Sequence, residues 1–282
     1  MRMRTLALAT ASGAALLAAG SLSPVAQGDA GSLAPTPAAA RNAQPGVVHL
    51  TPVGHARPLS DDGPSGSAGP TTSQDSAAGQ QSPPGVEEGS VGAADLLAKV
   101  SSCSQISNGK YRTDEETSAT VPVCGKNGAV FWKADMDIDC DGQVTTACNE
   151  DTDPWFQGDT AFHTSDDKPL SAEKLPYVVV PSSSDIWNYS SAGIKGGGVV
   201  AVIYDGKVEY AVVGDTGPDK IIGEASYATA KALGIDPDPE TGGAGSGVTY
   251  ILFKDSVVSP IESHDAAVTA GDALARKFLE NN

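Results

Sequence analysis

Not one phenylalanine, tyrosine, tryptophan or cysteine precedes Cys103 in this chain of 282 residues. The side chains that fill cores and staple exported folds are therefore confined to the stretch from Cys103 onward. Residues 31–90 are dominated by Ala, Gly, Pro and Ser, in runs such as Asp62-Gly63-Pro64-Ser65-Gly66. Such a stretch has too little apolar area to offset the conformational entropy of folding, and 31–96 reads as a disordered linker. Ala93 to Val100 reads as a short helix leading into the fold. One domain of ordinary size, 97–282, comes after it. Ahead of the linker, Arg2 and Arg4 precede an apolar run from Leu6 to Ala19 and small residues around Ala26 and Ala30. That is the layout of a signal peptide, here 1–30, and the run is short for a bilayer span. The expected address is secreted, extracellular.

The cysteines agree with export. Cys103, Cys124, Cys140 and Cys148 are even in number, which in an oxidising compartment suggests two disulfides. Cys103–Cys124 with Cys140–Cys148 is the most local of the three pairings. A zinc site finds no support, because no C-x-x-C spacing occurs, His49 and His55 lie in low-complexity sequence, and His163 and His264 are isolated. No metal and no other cofactor is expected. The net charge of −17 repels nucleic acid and anionic membranes and attracts a cationic polymer.

Short β-branched runs fill the domain. Ala129–Trp132, Tyr177–Val180, Val199–Tyr204, Val208–Val213 and Val248–Phe253 all read as strands. Asp205-Gly206 between two of them is a two-residue hairpin signal. Helices are expected at Ala225–Leu233, ended by Gly234, and at His264–Leu279, where Ala267, Leu274 and Phe278 recur at helical spacing. The fold class is mainly β with flanking helices.

Two acidic stretches carry the chemistry. In the first, an apolar strand delivers Asp215 at its end, with Gly214, Gly217 and Pro218 favouring a turn, Thr216 beside the acid, Gly223 allowing close backbone approach and Glu224 opening a helix. Two carboxylates at the ends of rigid elements suit glycosidic hydrolysis, in which one acid protonates the leaving oxygen and a second activates water or attacks the sugar. Their bland alternative is a turn cap and a helix N-terminus. In the second stretch, Asp135, Asp137, Asp139 and Asp141 alternate along an extended segment and crowd like charges together. A row of substrate amines would neutralise them. So would calcium, but the twelfth position of that loop pattern falls on Cys148. Trp132 and Trp155 lie nearby as possible sugar-stacking platforms.

These stretches, Ala134-Asp-Met-Asp-Ile-Asp-Cys-Asp-Gly142 and Val213-Gly-Asp-Thr-Gly-Pro218 followed by Ile222-Gly-Glu-Ala-Ser226, resemble the glycoside hydrolase family 75 chitosanases. The resemblance covers about Ser101 to Leu279. It implies internal, inverting cleavage of chitosan, with Asp215 and Glu224 as the essential pair. Glu224 is expected to be the general acid and Asp215 the general base, although the two roles could be exchanged. Asp135, Asp137, Asp139, Trp132, Trp155 and Thr216 are then candidate substrate contacts, in a protein acting as a monomer. The Val-Val-Gly-Asp-Thr-Gly-Pro run also resembles the core strand of double-psi β-barrels, which implies a six-stranded barrel. Asp215-Thr-Gly217 is also similar to one half of an aspartic protease site, but no second such triplet occurs. The remaining alternative is a non-catalytic polysaccharide-binding barrel with a calcium-binding acidic loop.

Overall fold

The computed structural model describes residues 88–282. The expected signal peptide and residues 31–87 of the expected linker lie outside the described residues. From Glu88 onward the chain is folded, ahead of the boundary expected at residue 97. The Glu88 N–H donates to the Val208 carbonyl at 3.2 Å, and Leu96, in helix α1 (Ala93–Lys99), is fully buried. Val91, Ala93 and Leu96 are buried and hold this end of the described chain to the domain.

Eight strands form the sheet: β1 (Ser104–Gln105), β2 (Cys124–Lys126), β3 (Ala129–Asp139), β4 (Tyr177–Pro181), β5 (Val199–Tyr204), β6 (Lys207–Gly217), β7 (Glu224–Ser226) and β8 (Ala244–Phe253). Six of them close into a barrel in the order β3-β7-β4-β6-β5-β8 and back to β3, with β1 and β2 added outside β3. The contacts β3–β7 and β4–β6 are parallel and the other barrel contacts antiparallel. Helix α2 (Tyr227–Leu233), the longer α3 (His264–Asn281) and a single 3-10 turn, Ser190–Ala192, complete the elements among the described residues. No helix among the described residues is long and apolar enough to cross a membrane. The chain is thus mainly β with a closed six-stranded barrel and flanking helices, as expected from its strand-rich pattern.

The strands are continuous apolar runs rather than alternating ones because both faces are covered. Val200 and Val202 of β5 fill the barrel with Trp132, Val213 and Tyr250. Val199, Ala201 and Ile203 face outward into a second cluster with Phe253 and Phe278. Phe278 of α3 meets Phe253 edge-on, with ring centroids 6.1 Å apart. Truncating a core phenylalanine of this kind costs about 3–5 kcal/mol. The hairpin between β5 and β6 turns as the sequence demands: Asp205 and Gly206 have φ of 45° and 75°, the doubly positive pair of a type I′ turn. The disulfides are Cys103–Cys124 and Cys140–Cys148.

Candidate active site

The barrel brings Asp215 and Glu224 together by register. On β4, Val179 is paired with Asp215 of β6 on one side and with Glu224 of β7 on the other. Glu224 is in turn paired with Asp137 of β3. Residues opposite one another on neighbouring strands share a face. Val179 packs in the outer apolar cluster, whereas Val178 and Val180 fill the barrel. Asp137, Glu224 and Asp215 therefore form a row across the outside of the wall. Two strand spacings separate the Asp215 and Glu224 backbones, about 9–10 Å.

A β6 bulge between the residues paired with Val178 and Val179 puts Asp215 into this row. Strand β6 continues through Gly217, so Asp215 lies within a strand and not at its end as expected. Glu224 likewise begins β7 instead of a helix. Helix α2 starts later, at Tyr227, because the Ser226 hydroxyl accepts the Thr229 N–H and caps it. This difference matters, since a strand residue is locked on both sides by ladder partners. The Glu224 carboxylate leans toward β6: Oε2 lies 3.1 Å from where a Cβ on Gly217 would stand, and Val179 Cγ1 lies 3.0 Å from it. Gly217 is thus the gap that the acid needs.

The segment between β3 and β4 folds onto this row. It is tied at its start by Cys140–Cys148. Gln157 N–H donates to Asp141 Oδ1 at 2.6 Å, Ala161 N–H donates to Asp215 Oδ1 at 2.8 Å, and the Tyr177 hydroxyl donates to the Asp141 carbonyl at 3.0 Å. Asp215 Oδ1 also accepts its neighbour's N–H, from Thr216, at 2.6 Å.

Electrostatically the site is an accumulation of carboxyls in a poorly solvated place. Burial raises the Asp215 carboxyl above its ordinary range against the two N–H donors, with Asp159 adding to the rise. Asp141 is pushed up to about 7 by burial and by Asp215 and Asp153. Asp139 is held well above the usual range by burial and by Glu224, Asp141 and Asp215. Among the described residues, no lysine, arginine or histidine forms an ion pair with Asp139, Asp141 or Asp215. Strongly perturbed carboxyls gathered at one place are a signature of catalytic sites.

The other expected site residues divide. Asp137 is exposed beside Glu224, Thr216 is half-buried beside Asp215, and Trp155 is 49% exposed. The Trp155 N–H donates to Asp153 Oδ1, on the segment that leans on Asp141. Trp132 is a correction. It is fully buried inside the barrel, stacked on Tyr250 and edge-on to Trp187, because even-numbered positions of β3 point inward. Asp135 and Asp139 are also enclosed, at 7% and 6% exposure. Asp135 packs against Gly223, and its carboxyl is raised to about 7 by burial and by Asp137. Of the three β3 aspartates only Asp137 is open to solvent. Ala161, Tyr177 and Gly217 belong to the site but had no local signal, since each acts across a tertiary contact. The one His/Cys/Asp/Glu grouping suited to a metal among the described residues is Glu88, Glu209 and His264, roughly 20 Å from Asp215 along β6.

Comparison with known proteins gives the site its context. The family described as fungal chitosanase of glycosyl hydrolase group 75 matches residues 136–279, which include all three acids of the row. Endo-chitosanase C of Aspergillus oryzae is 32% identical over 168 residues, covering 55% of this chain and 42% of its own length. Endo-chitosanase B of the same fungus is 32% identical over 54% of this chain and 74% of its own length. The endo-chitosanase of Aspergillus fumigatus is 33% identical over 45% of this chain and 59% of its own. The chain thus spans less than half of the first of these relatives and about three quarters of the second.

Proposed function

The chain belongs to glycoside hydrolase family 75, and from that premise we propose that it is a secreted endo-chitosanase that hydrolyses β-1,4 linkages between glucosamine units with inversion. The observation that carries the reading is the register of Asp215 and Glu224 on either side of Val179. It puts the two residues on one face with backbones about 9–10 Å apart, which supports a pair of carboxyls working across the roughly 6.5–9.5 Å that an inverting enzyme leaves for its water.

In this mechanism Glu224 is the general acid on the glycosidic oxygen. It is only partly exposed and stands opposite Asp137 in the β3–β7 ladder. Asp215 is the general base. Its two backbone N–H donors hold one carboxylate oxygen fixed and favour the ionised form, leaving the other oxygen for water. The exposed Asp137 and the negative surface favour a polymer of protonated amines, with Trp155 on the adjoining segment as a sugar platform. The two disulfides fit an extracellular address, and one chain carries both acids, as a monomer requires. The test is release of reducing ends from chitosan, with chitin and cellulose as controls. Turnover on chitosan is expected. Binding of chitosan without new reducing ends would instead support a non-catalytic barrel.

A further inference from the structure

We propose that Asp139 is a positioning residue for Glu224, a buried carboxyl that keeps its proton and donates a hydrogen bond to the charge that develops on Glu224 as the acid gives up its own proton. The inference rests on Glu224 being the acid of the pair. Its first support is register. Asp137 is opposite Glu224 and Asp139 opposite Ser226 in the parallel β3–β7 ladder, so Asp139 sits one diagonal step from Glu224 on the same face. The second is enclosure, since Asp139 is 6% exposed and Ser226 fully buried.

The third support is the proton count. The groups facing Asp139 are Asp137 and Asp141 along its own chain, Tyr177 of β4, Asp215 of β6 and Glu224 of β7. None is a cation. Asp139 Oδ1 accepts only the Asp141 N–H, at 2.6 Å. The Tyr177 hydroxyl reaches Asp139 as well, but its single proton goes to the Asp141 carbonyl. A buried carboxylate amid acids would carry the full cost of an unpaired charge. A neutral donor has little to gain from neutral Glu224 and much from ionised Glu224, so it acts on the transition state more than on the ground state.

The test compares Asp139→Asn, Asp139→Leu and Glu224→Gln on chitosan. Removing the donor in Asp139→Leu is expected to lower kcat about 10- to 100-fold and to move the alkaline limb of the pH profile upward. Asp139→Asn keeps a neutral donor, so kcat falls less, about three- to tenfold, and the alkaline limb stays in place. An infrared difference between wild type and Asp139→Asn at pH 7 should contain a carboxylic acid carbonyl band. Asp139→Leu turning over like wild type would overturn the inference. So would an Asp139→Asn alkaline limb displaced downward with a raised KM, or carboxylate bands in the infrared difference, because each means that Asp139 carries charge. If the leucine variant does not fold, the limb and the infrared band of Asp139→Asn decide. Glu224→Gln separates the layers: if it keeps turnover the acid assignment itself fails, and if it is inactive while Asp139→Leu is normal only the role of Asp139 falls.

Discussion

Two places on the outside of the barrel bury carboxyl groups, and they treat the charge in opposite ways. At the start of β6, Glu209 is 6% exposed and lies with Glu88 against His264, whose Nε2 is 3.1 Å from an oxygen of each. Those two glutamates raise the imidazole to about 10, so it stays protonated and partners both. At the far end of the same strand, Asp215 is as deeply placed, with Asp139, Asp141 and Glu224 around it. Among the described residues, no cation pairs with Asp215, Asp139 or Asp141. The first cluster closes a seam, fastening Glu88 and the N-terminus of α3 to the wall. The second stores an electrostatic tension that only protons or a cationic ligand relieve. Similar burial thus yields a clasp where a cation is supplied and, on the proposed function, a reactive site where it is withheld.

The strongest way to break this contrast is to neutralise the acids. Asp215→Asn or Glu224→Gln is expected to cut kcat on chitosan by about 10²–10⁴-fold, the span of a general acid or base, with a thermal midpoint that does not fall. His264→Gln should leave kcat alone. Gly217→Ala comes next. The new methyl would meet Glu224 and Val179, and displacing the acid by a fraction of an ångström to an ångström should lower kcat by about 10- to 100-fold while the protein still folds.

The clasp makes the third prediction. A group whose folded pKa is raised adds stability that is complete below its unfolded pKa and disappears as pH rises through the folded one. The His264 contribution should therefore be complete below about 6.5 and fade through about pH 10. At pH 7, His264→Gln should lower the thermal midpoint by about 2–4 °C, a difference that shrinks when the comparison is repeated above pH 10. The smallest effect concerns the base. Asp215 must be ionised to accept a proton, so its raised carboxyl sets an acidic limb in kcat/KM above the usual aspartate range. Asp159→Asn removes a negative neighbour and should move that limb slightly down, since exposed charges are well screened.

Much of this contrast was legible in local pattern. The valine runs announced the strands, Asp205-Gly206 the hairpin, and the four cysteines their two nearest pairings. Asp215 and Glu224 stood out by motif. Other features misled for physical reasons. Gly223 before Glu224 and the helical Ala-Ser-Tyr-Ala-Thr-Ala stretch after it suggested a helix start, but three residues of ladder with β3 and β4 came first. Trp132 lay beside the acids in sequence yet points into the barrel, because adjacent strand residues face opposite ways. Alternation did put Asp137 and Asp139 on one face, but could not say that one would be open and the other sealed.

By itself the sequence determined the composition of a folded domain, its strand-rich class, the hairpin, the nearest-neighbour disulfides and the identity of the acidic residues. These depend on periodicity, turn chemistry and charge, which act over a few residues. The closed barrel alone decided that Asp215 and Glu224 flank one valine, that Ala161 reaches back to Asp215, and that Asp139 is dry while Asp137 is wet. Those outcomes depend on which distant segments cover a given carboxyl, and solvation is a property of the assembled surface, not of the residue that carries the charge.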